Sequence, residues 1–247
     1  MVIIPLLDGE RIDDLQFLNL RIIQKAGAFC FSMDAVLLAD FAMARAGDTI
    51  FDFGTGTGIL PLLISGRAER TTFHAFEIQK DMAEMAERSI KMNGLDDRIT
   101  IYHDNLLNAS KRLGFACADL VVANPPYARE GASIKNPSPG KRIARHEGDS
   151  TLEDFVKAAA EVLKTRGRFS LVFPAHRMLE VMECMRQYKI EPKRMRLVHP
   201  KPNRAPNLAL IEGIRLGKPM LHIEPPLIVY DENGNETDEI KRIYHRN

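Results

Sequence analysis

The chain predicts an α/β fold: a doubly wound, mostly parallel sheet with helices on both faces. Three observations carry this. From residue 49 onward, strand-length apolar runs alternate with segments of helical period. A glycine-rich turn, Gly54-Thr55-Gly56-Thr57-Gly58, joins the first of those strands to its helix. The length, 247 residues, fits one large α/β domain or two small ones.

The elements follow in order. Residues 1–30 carry short apolar runs, and Asp8-Gly9 between two of them is a hairpin signal. Residues 12–25 read as strand-rich. Residues 33–45 follow helical periodicity, with Ser32 as N-cap. Then come strand 49–53, helix 59–66, strand 72–76, helix 80–93, strand 99–102 and strand 118–123. Asn93-Gly94 is a good C-cap pair for the helix before it. Residues 128–150 are polar, with Gly and Pro, and lack periodicity; a loop of that length is functional or disordered. Helix 151–164, strand 168–173, helix 176–188 and strands near 194–198 and 207–214 complete the alternation, and 231–247 read as a loose tail or a late hairpin. The organisation is therefore a single domain over 1–247. It comprises an N-terminal hairpin and leading helix (1–48), a ligand-binding half (49–127), a long loop (128–150) and the second half of the sheet (151–247).

Composition excludes several classes. No apolar run is long enough to span a membrane. The first residues lack the basic start and long apolar core of a signal peptide. Cys30, Cys117 and Cys184 are odd in number and widely spaced, giving neither a metal pattern nor a disulfide framework. A reducing cytoplasm is the expected setting, with no metal. Net charge is only +1, against indiscriminate nucleic-acid binding. Charge is uneven, however. Between Glu183 and Lys218 nine Lys/Arg face three Glu. Lys135, Lys141, Arg142 and Arg145 form a second basic segment. Such patches suit a phosphate backbone and equally suit a solvated face.

Two motifs carry chemistry. Alternate glycines let the backbone turn tightly and approach a ligand at the N-terminus of the next helix. Alone, the loop also reads as a simple strand–helix turn, and its spacing is not that of the dinucleotide fingerprint. Glu77 ends the following strand, about 20 residues on, where an acidic side chain holds a ribose. The second motif, Asn124-Pro125-Pro126-Tyr127, follows an apolar strand. Proline has no N–H, so carbonyl acceptors there meet few competing donors. Asn124 adds an acceptor and Tyr127 a flat face, which together fit a planar group bearing an NH₂. Gly54, Glu77, Asp104 and Asn124 all fall at carboxyl ends of strands, where open α/β sheets bind ligands.

Glycine loop, acidic strand end and Asn-Pro-Pro-Tyr, in this order, resemble class I S-adenosylmethionine-dependent N-methyltransferases. Residues 31–39, Phe76-Glu77-Ile78-Gln79, Ala144-Arg145-His146-Glu147 and Val198-His199-Pro200 narrow the resemblance to the bacterial tRNA1(Val) adenine-37 N6-methyltransferase family. The resemblance implies a Rossmann-like sheet with an antiparallel hairpin at one edge. It implies S-adenosyl-L-methionine as cofactor, held by Asp34, Asp52, Gly54, Thr55, Gly56, Gly58, Glu77, Asp104 and Asn105. Glu77 would accept the ribose hydroxyls and Asp104 the adenine amino group, unless Asp104 or Asn105 serves as a helix cap. Asp34 would lie near the methionine end, or simply favour its helix N-terminus. Asn124 and the Pro125 carbonyl would each accept an N–H of the target amine, localising its lone pair for in-line attack on the methyl. Pro126 completes the loop and Tyr127 would stack on the extruded base. His146 is assigned no catalytic role.

Asn-Pro-Pro-Tyr by itself serves several amino-bearing targets. Only about 50 residues precede the glycine loop, too few for the helical recruiting domain of a release-factor glutamine N5-methyltransferase. No large DNA target-recognition insert is present. A structured RNA, foremost tRNA, fits best, because unstacked loop bases are the readable part of RNA. Lys135, Lys141, Arg142, Arg145, Lys193, Arg194, Arg196, Lys201 and Arg204 are the candidate RNA contacts. The rivals are glutamine methylation and a non-catalytic RNA-binding adaptor.

Overall fold

A computed structural model describes residues 4–25, 32–126 and 150–246. An antiparallel hairpin of β1 (Glu10–Asp14) and β2 (Arg21–Lys25) comes first. Its turn lies at residues 15–20, where Leu15 N–H donates to Leu20 O. The Asp8-Gly9 signal marks a different turn, just ahead of β1, with Gly9 at φ +78°. The glycine serves there, but residues 4–7 on its far side form no strand, so the hairpin closes one turn later.

The main sheet alternates as expected. Its elements are β3 (Thr49–Phe53), α2 (Ile59–Arg67), β4 (Thr72–Glu77), α3 (Lys80–Met92), β5 (Ile99–His103), α4 (Ala109–Leu113) and β6 (Ala118–Ala123). After the loop come α5 (Leu152–Val162), β7 (Leu163–Pro174), α6 (Met178–Gln187), β8 (Ile190–His199) and β9 (Leu208–Arg215). α1 (Met33–Phe41) precedes β3. Two-residue strands β10 (His222–Ile223) and β11 (Leu227–Ile228) and helix α7 (Asp238–Ile243) close the chain.

Strand order is β10-β8-β9-β7-β6-β3-β4-β5, with β11 also on β8. β3 to β7 are parallel, and β9 runs antiparallel to both β7 and β8. The closing hairpin is thus present, but its second strand is interior. β8 lies outside it, with β10 and β11 along its outer side. Order reverses between β3 and β6, the switch point at which such sheets open a crevice.

Side chains alternate across the sheet into two apolar layers. Ile50 faces α1, α2, α3 and α7; Phe51 and Phe53 face α4, α5 and α6. Of the two readings for 231–247, the late hairpin turn is present, as an antiparallel bridge between Tyr230 and Glu236, and the loose tail is corrected. Ile240 and Ile243, three apart on α7, are fully buried in the first layer. Thr237 caps that helix, donating to Ile228 O and accepting from Ile240 N–H.

Candidate active site

One cavity of about 370 Å³ lies at the carboxyl ends of β3, β4, β5 and β6. Gly54, Thr55, Gly56, Glu77, Asp104, Asn124, Pro125, Pro126 and Asp34 all line it. The glycine loop is shaped by backbone bonds. Gly54 N–H and Thr55 N–H both donate to Phe76 O, at 2.9 and 3.0 Å. Gly54 and Gly56 hold φ values of +73° and +58°, which other residues rarely adopt. A Cβ on Gly54 would also meet the Phe155 ring at 3.4 Å.

Glu77 is buried, and its carboxylate ties two loops together. Oε2 accepts from Gly56 N–H at 2.9 Å and Oε1 from Gln79 N–H at 2.8 Å. A carboxylate has about four acceptor positions, so two remain for a ligand. Asp104 is held similarly. Oδ1 accepts from Asn105 N–H and Asn108 Nδ2, and Oδ2 from Arg112, whose guanidinium lies 4.8 Å over the Tyr102 ring. Burial pushes the Asp104 carboxyl up, but these hydrogen bonds outweigh it and hold it below the usual carboxylate range.

Three candidates do not line the cavity. Asn105 is a cap: its Oδ1 accepts from Leu107 N–H at 2.9 Å, starting a 3₁₀ turn. Gly58, at the start of α2, sits where a Cβ would meet Ala86 at 3.4 Å. Asp52 lies beneath the loop, fully buried, and neither carboxylate oxygen has a well-formed hydrogen bond among the described residues. Burial lifts its pKa to about 7; the Thr55 hydroxyl partly offsets this and the charge of Glu77 adds to it. The hydroxyls of Ser32 and Thr55 are likewise buried without a well-formed hydrogen bond. Ser32 precedes α1 in extended conformation and makes no side-chain cap.

Sequence reading missed the apolar walls. Ile78 and Leu106 follow Glu77 and Asp104 closely and could have been found from that adjacency. Phe155 and Met82 come from helices and arrive by packing. Phe155 is fixed by a capping box at the start of α5, in which Thr151 accepts from Asp154 N–H and Asp154 from Thr151 N–H.

Asn124 is half-buried, Pro125 buried and Pro126 exposed. Tyr127, Lys135, Lys141, Arg142, Arg145 and His146 lie outside the described residues. The second basic cluster divides. Arg194 stacks 3.9 Å over Phe41, pairs with Glu212 and Glu224, and donates to Phe41 O. Arg196 forms a bidentate pair with Glu239 at 2.8–2.9 Å. Lys193 donates to Lys218 O. Lys201 and Arg204 are exposed in the β8–β9 loop.

Comparison with known proteins places this geometry. The family model for the methyltransferase small domain matches residues 19–191. A Porphyromonas gingivalis protein named tRNA1(Val) (adenine(37)-N6)-methyltransferase is 30% identical over 206 residues, covering 81% of this chain and 80% of its own. A Parabacteroides distasonis protein of that name is 30% identical, covering 72% and 74%. A crystal structure of a predicted O-methyltransferase from Agrobacterium tumefaciens shares the fold at TM-score 0.70 and 21% identity, over 86% of this chain and 96% of that one. The T. thermophilus 16S rRNA N2 methyltransferase, solved with AdoMet and guanosine, shares it at TM-score 0.59 and 17% identity, over 85% and 52%. The chain belongs to the methyltransferase small domain family and, within it, to the tRNA1(Val) (adenine(37)-N6)-methyltransferases.

Proposed function

We propose that this protein methylates the N6 amino group of adenine 37 in tRNA1(Val), using S-adenosyl-L-methionine, as a single-domain enzyme of the cytoplasm. The observation that carries the reading is one cavity containing both an acceptor-rich Asn124-Pro125-Pro126 loop and the Gly54–Gly56, Glu77 and Asp104 set. No helix among the described residues is long and apolar enough to cross a membrane.

The residues present suit the cofactor. Buried acceptors on Asp52, Thr55 and Ser32 lack well-formed hydrogen bonds among the described residues, a costly arrangement unless a polar or cationic group completes it. Asp52, with Asp34 at the cavity wall, would receive the amino-acid ammonium. Glu77 would use its two remaining acceptor positions on the ribose hydroxyls. Asp104 would accept from the adenine amino group, with Ile78 and Leu106 against the ring faces. When bound, the cofactor supplies a methyl carbon made electrophilic by its sulfonium. Asn124 Oδ1 and the Pro125 carbonyl accept the two N–H bonds of the target amine. They oppose the positive charge that develops on that nitrogen, an interaction stronger in the transition state than before it. Tyr127 would stack on the base.

The test is incubation with labelled cofactor and three substrates: unmodified tRNA1(Val) transcript, the same transcript with guanine at position 37, and a release factor. Nucleoside digestion should yield labelled N6-methyladenosine from the first alone. Label in the release factor would transfer the reading to glutamine, and label in none would favour an adaptor.

A further inference from the structure

The sheet edge that carries the cavity is not level. β6 last pairs with β7 at Ala123↔Leu171. β7 continues through Val172, Phe173 and Pro174, still paired with Leu210, Ala209 and Leu208 of β9, and β9 with Val198 of β8. Three residues of strand rise about 10 Å. The β7–β9–β8 group therefore stands as a wall beside the Asn124-Pro125-Pro126 loop. Ala175 N–H donates to Asn207 O at 3.0 Å, tying the crest of β7 to the β8–β9 loop.

That loop is stiff and cationic. Pro200, Pro202 and Pro206 restrict it, Arg204 N–H donates to Lys201 O, and His199 Nδ1 lies 2.8 Å from Arg204 O. Lys201 and Arg204 are exposed, and neither is paired with a carboxylate among the described residues. Arg177, at the same crest, stacks on Phe173 and is neutralised by Glu180. Asp34 and Asp104 line the cavity itself, and Asp104 pairs with Arg112.

We infer that the RNA lies along the crest of the β7–β9–β8 wall, with Lys201 and Arg204 on phosphates flanking the target nucleotide, whose base reaches Asn124 at the wall's foot. This rests on the proposed RNA methylation and adds the side from which the polynucleotide approaches. Preorganisation by three prolines lowers the ordering cost of those contacts.

The test compares the unaltered protein, Lys201→Glu/Arg204→Glu and the charge-matched Lys91→Glu/Lys157→Glu. Unmodified tRNA1(Val) transcript affinity is measured across a salt series, and S-adenosylhomocysteine affinity serves as the folding control. Two phosphate contacts contribute roughly 1.5 to the slope of log affinity against log salt. The wall variant should lose about that much slope and about tenfold or more in affinity, with S-adenosylhomocysteine binding intact. The Lys91/Lys157 variant should keep the full slope. An unchanged slope in the wall variant, or an equal loss in both variants, overturns the inference while RNA methylation stands. Absence of RNA methylation by the unaltered protein removes the activity itself.

Discussion

Over β3, β4 and β5, carboxylates gather at or under one cavity with acceptor capacity left over. Over β7, β9 and β8, cations gather too, but most are consumed within the fold. Asp52 has no well-formed hydrogen bond among the described residues, and Glu77 and Asp104 are fixed by their own loops while still facing the cavity. Arg168 instead pairs with Asp48 at 2.6 Å and donates to Met43 O. Arg194 and Arg196 are each bound to glutamates. Charge of one sign is thus kept available for a ligand in one half, and charge of the other sign mostly joins strands and helices in the other. Arg166, Lys201 and Arg204 are exceptions among the described residues, and of these Lys201 and Arg204 sit at the crest.

The largest expected effect tests whether Arg194 belongs to the fold. Glu212 is 6% exposed, and among the described residues its side-chain partners are Arg194 and Ser170. Arg194→Ala leaves that carboxylate buried without its cation and should cost about 3–5 kcal/mol in denaturant unfolding. The salt slope of RNA binding in the folded fraction should stay as in the unaltered protein. A lost slope with normal stability would place Arg194 among RNA contacts and break the contrast between the halves.

Next comes Asn124→Ala. Losing one preorganised acceptor at the reacting nitrogen should lower turnover by about 10²–10³. Cofactor affinity, measured by calorimetry, should hold, because Gly56, Glu77 and Asp104 keep their own hydrogen bonds. Turnover near the normal rate would remove Asn124 from the chemistry.

The two halves also differ in how far sequence foretells them. Gly54, Glu77, Asp104 and Asn124 each end a strand of clear apolar pattern, so residue type and position together located the cavity. Phe155 reaches the same cavity from a helix nearly 80 residues past Glu77, through packing that no local pattern encodes. The basic run from Lys193 to Arg204 read as one patch because its partners are remote: Phe41, Glu212, Glu224 and Glu239. α7 was missed because six polar-rich residues with two buried isoleucines give too short a period to detect.

The smallest effect concerns Asp52 and the cost of keeping an acceptor unspent. Its carboxyl titrates near pH 7 in the folded protein, against 3.8 as its ordinary value, chiefly through burial. Between those values the unfolded chain has lost the proton and the folded chain retains it. The folded state therefore binds more protons, and stability falls as pH rises from about 4 to 7, then levels off. Asp52→Asn cannot ionise, so it should flatten this fall and raise stability at pH 8 by about 1–3 kcal/mol. The same change removes the anion proposed to receive the cofactor's ammonium, so S-adenosylhomocysteine should bind more weakly. Melting temperatures of both proteins from pH 5 to pH 8, with and without S-adenosylhomocysteine, separate the two effects. Parallel pH curves for the ligand-free proteins would mean that Asp52 finds a partner in the folded state, and the cofactor half would then resemble the other half after all.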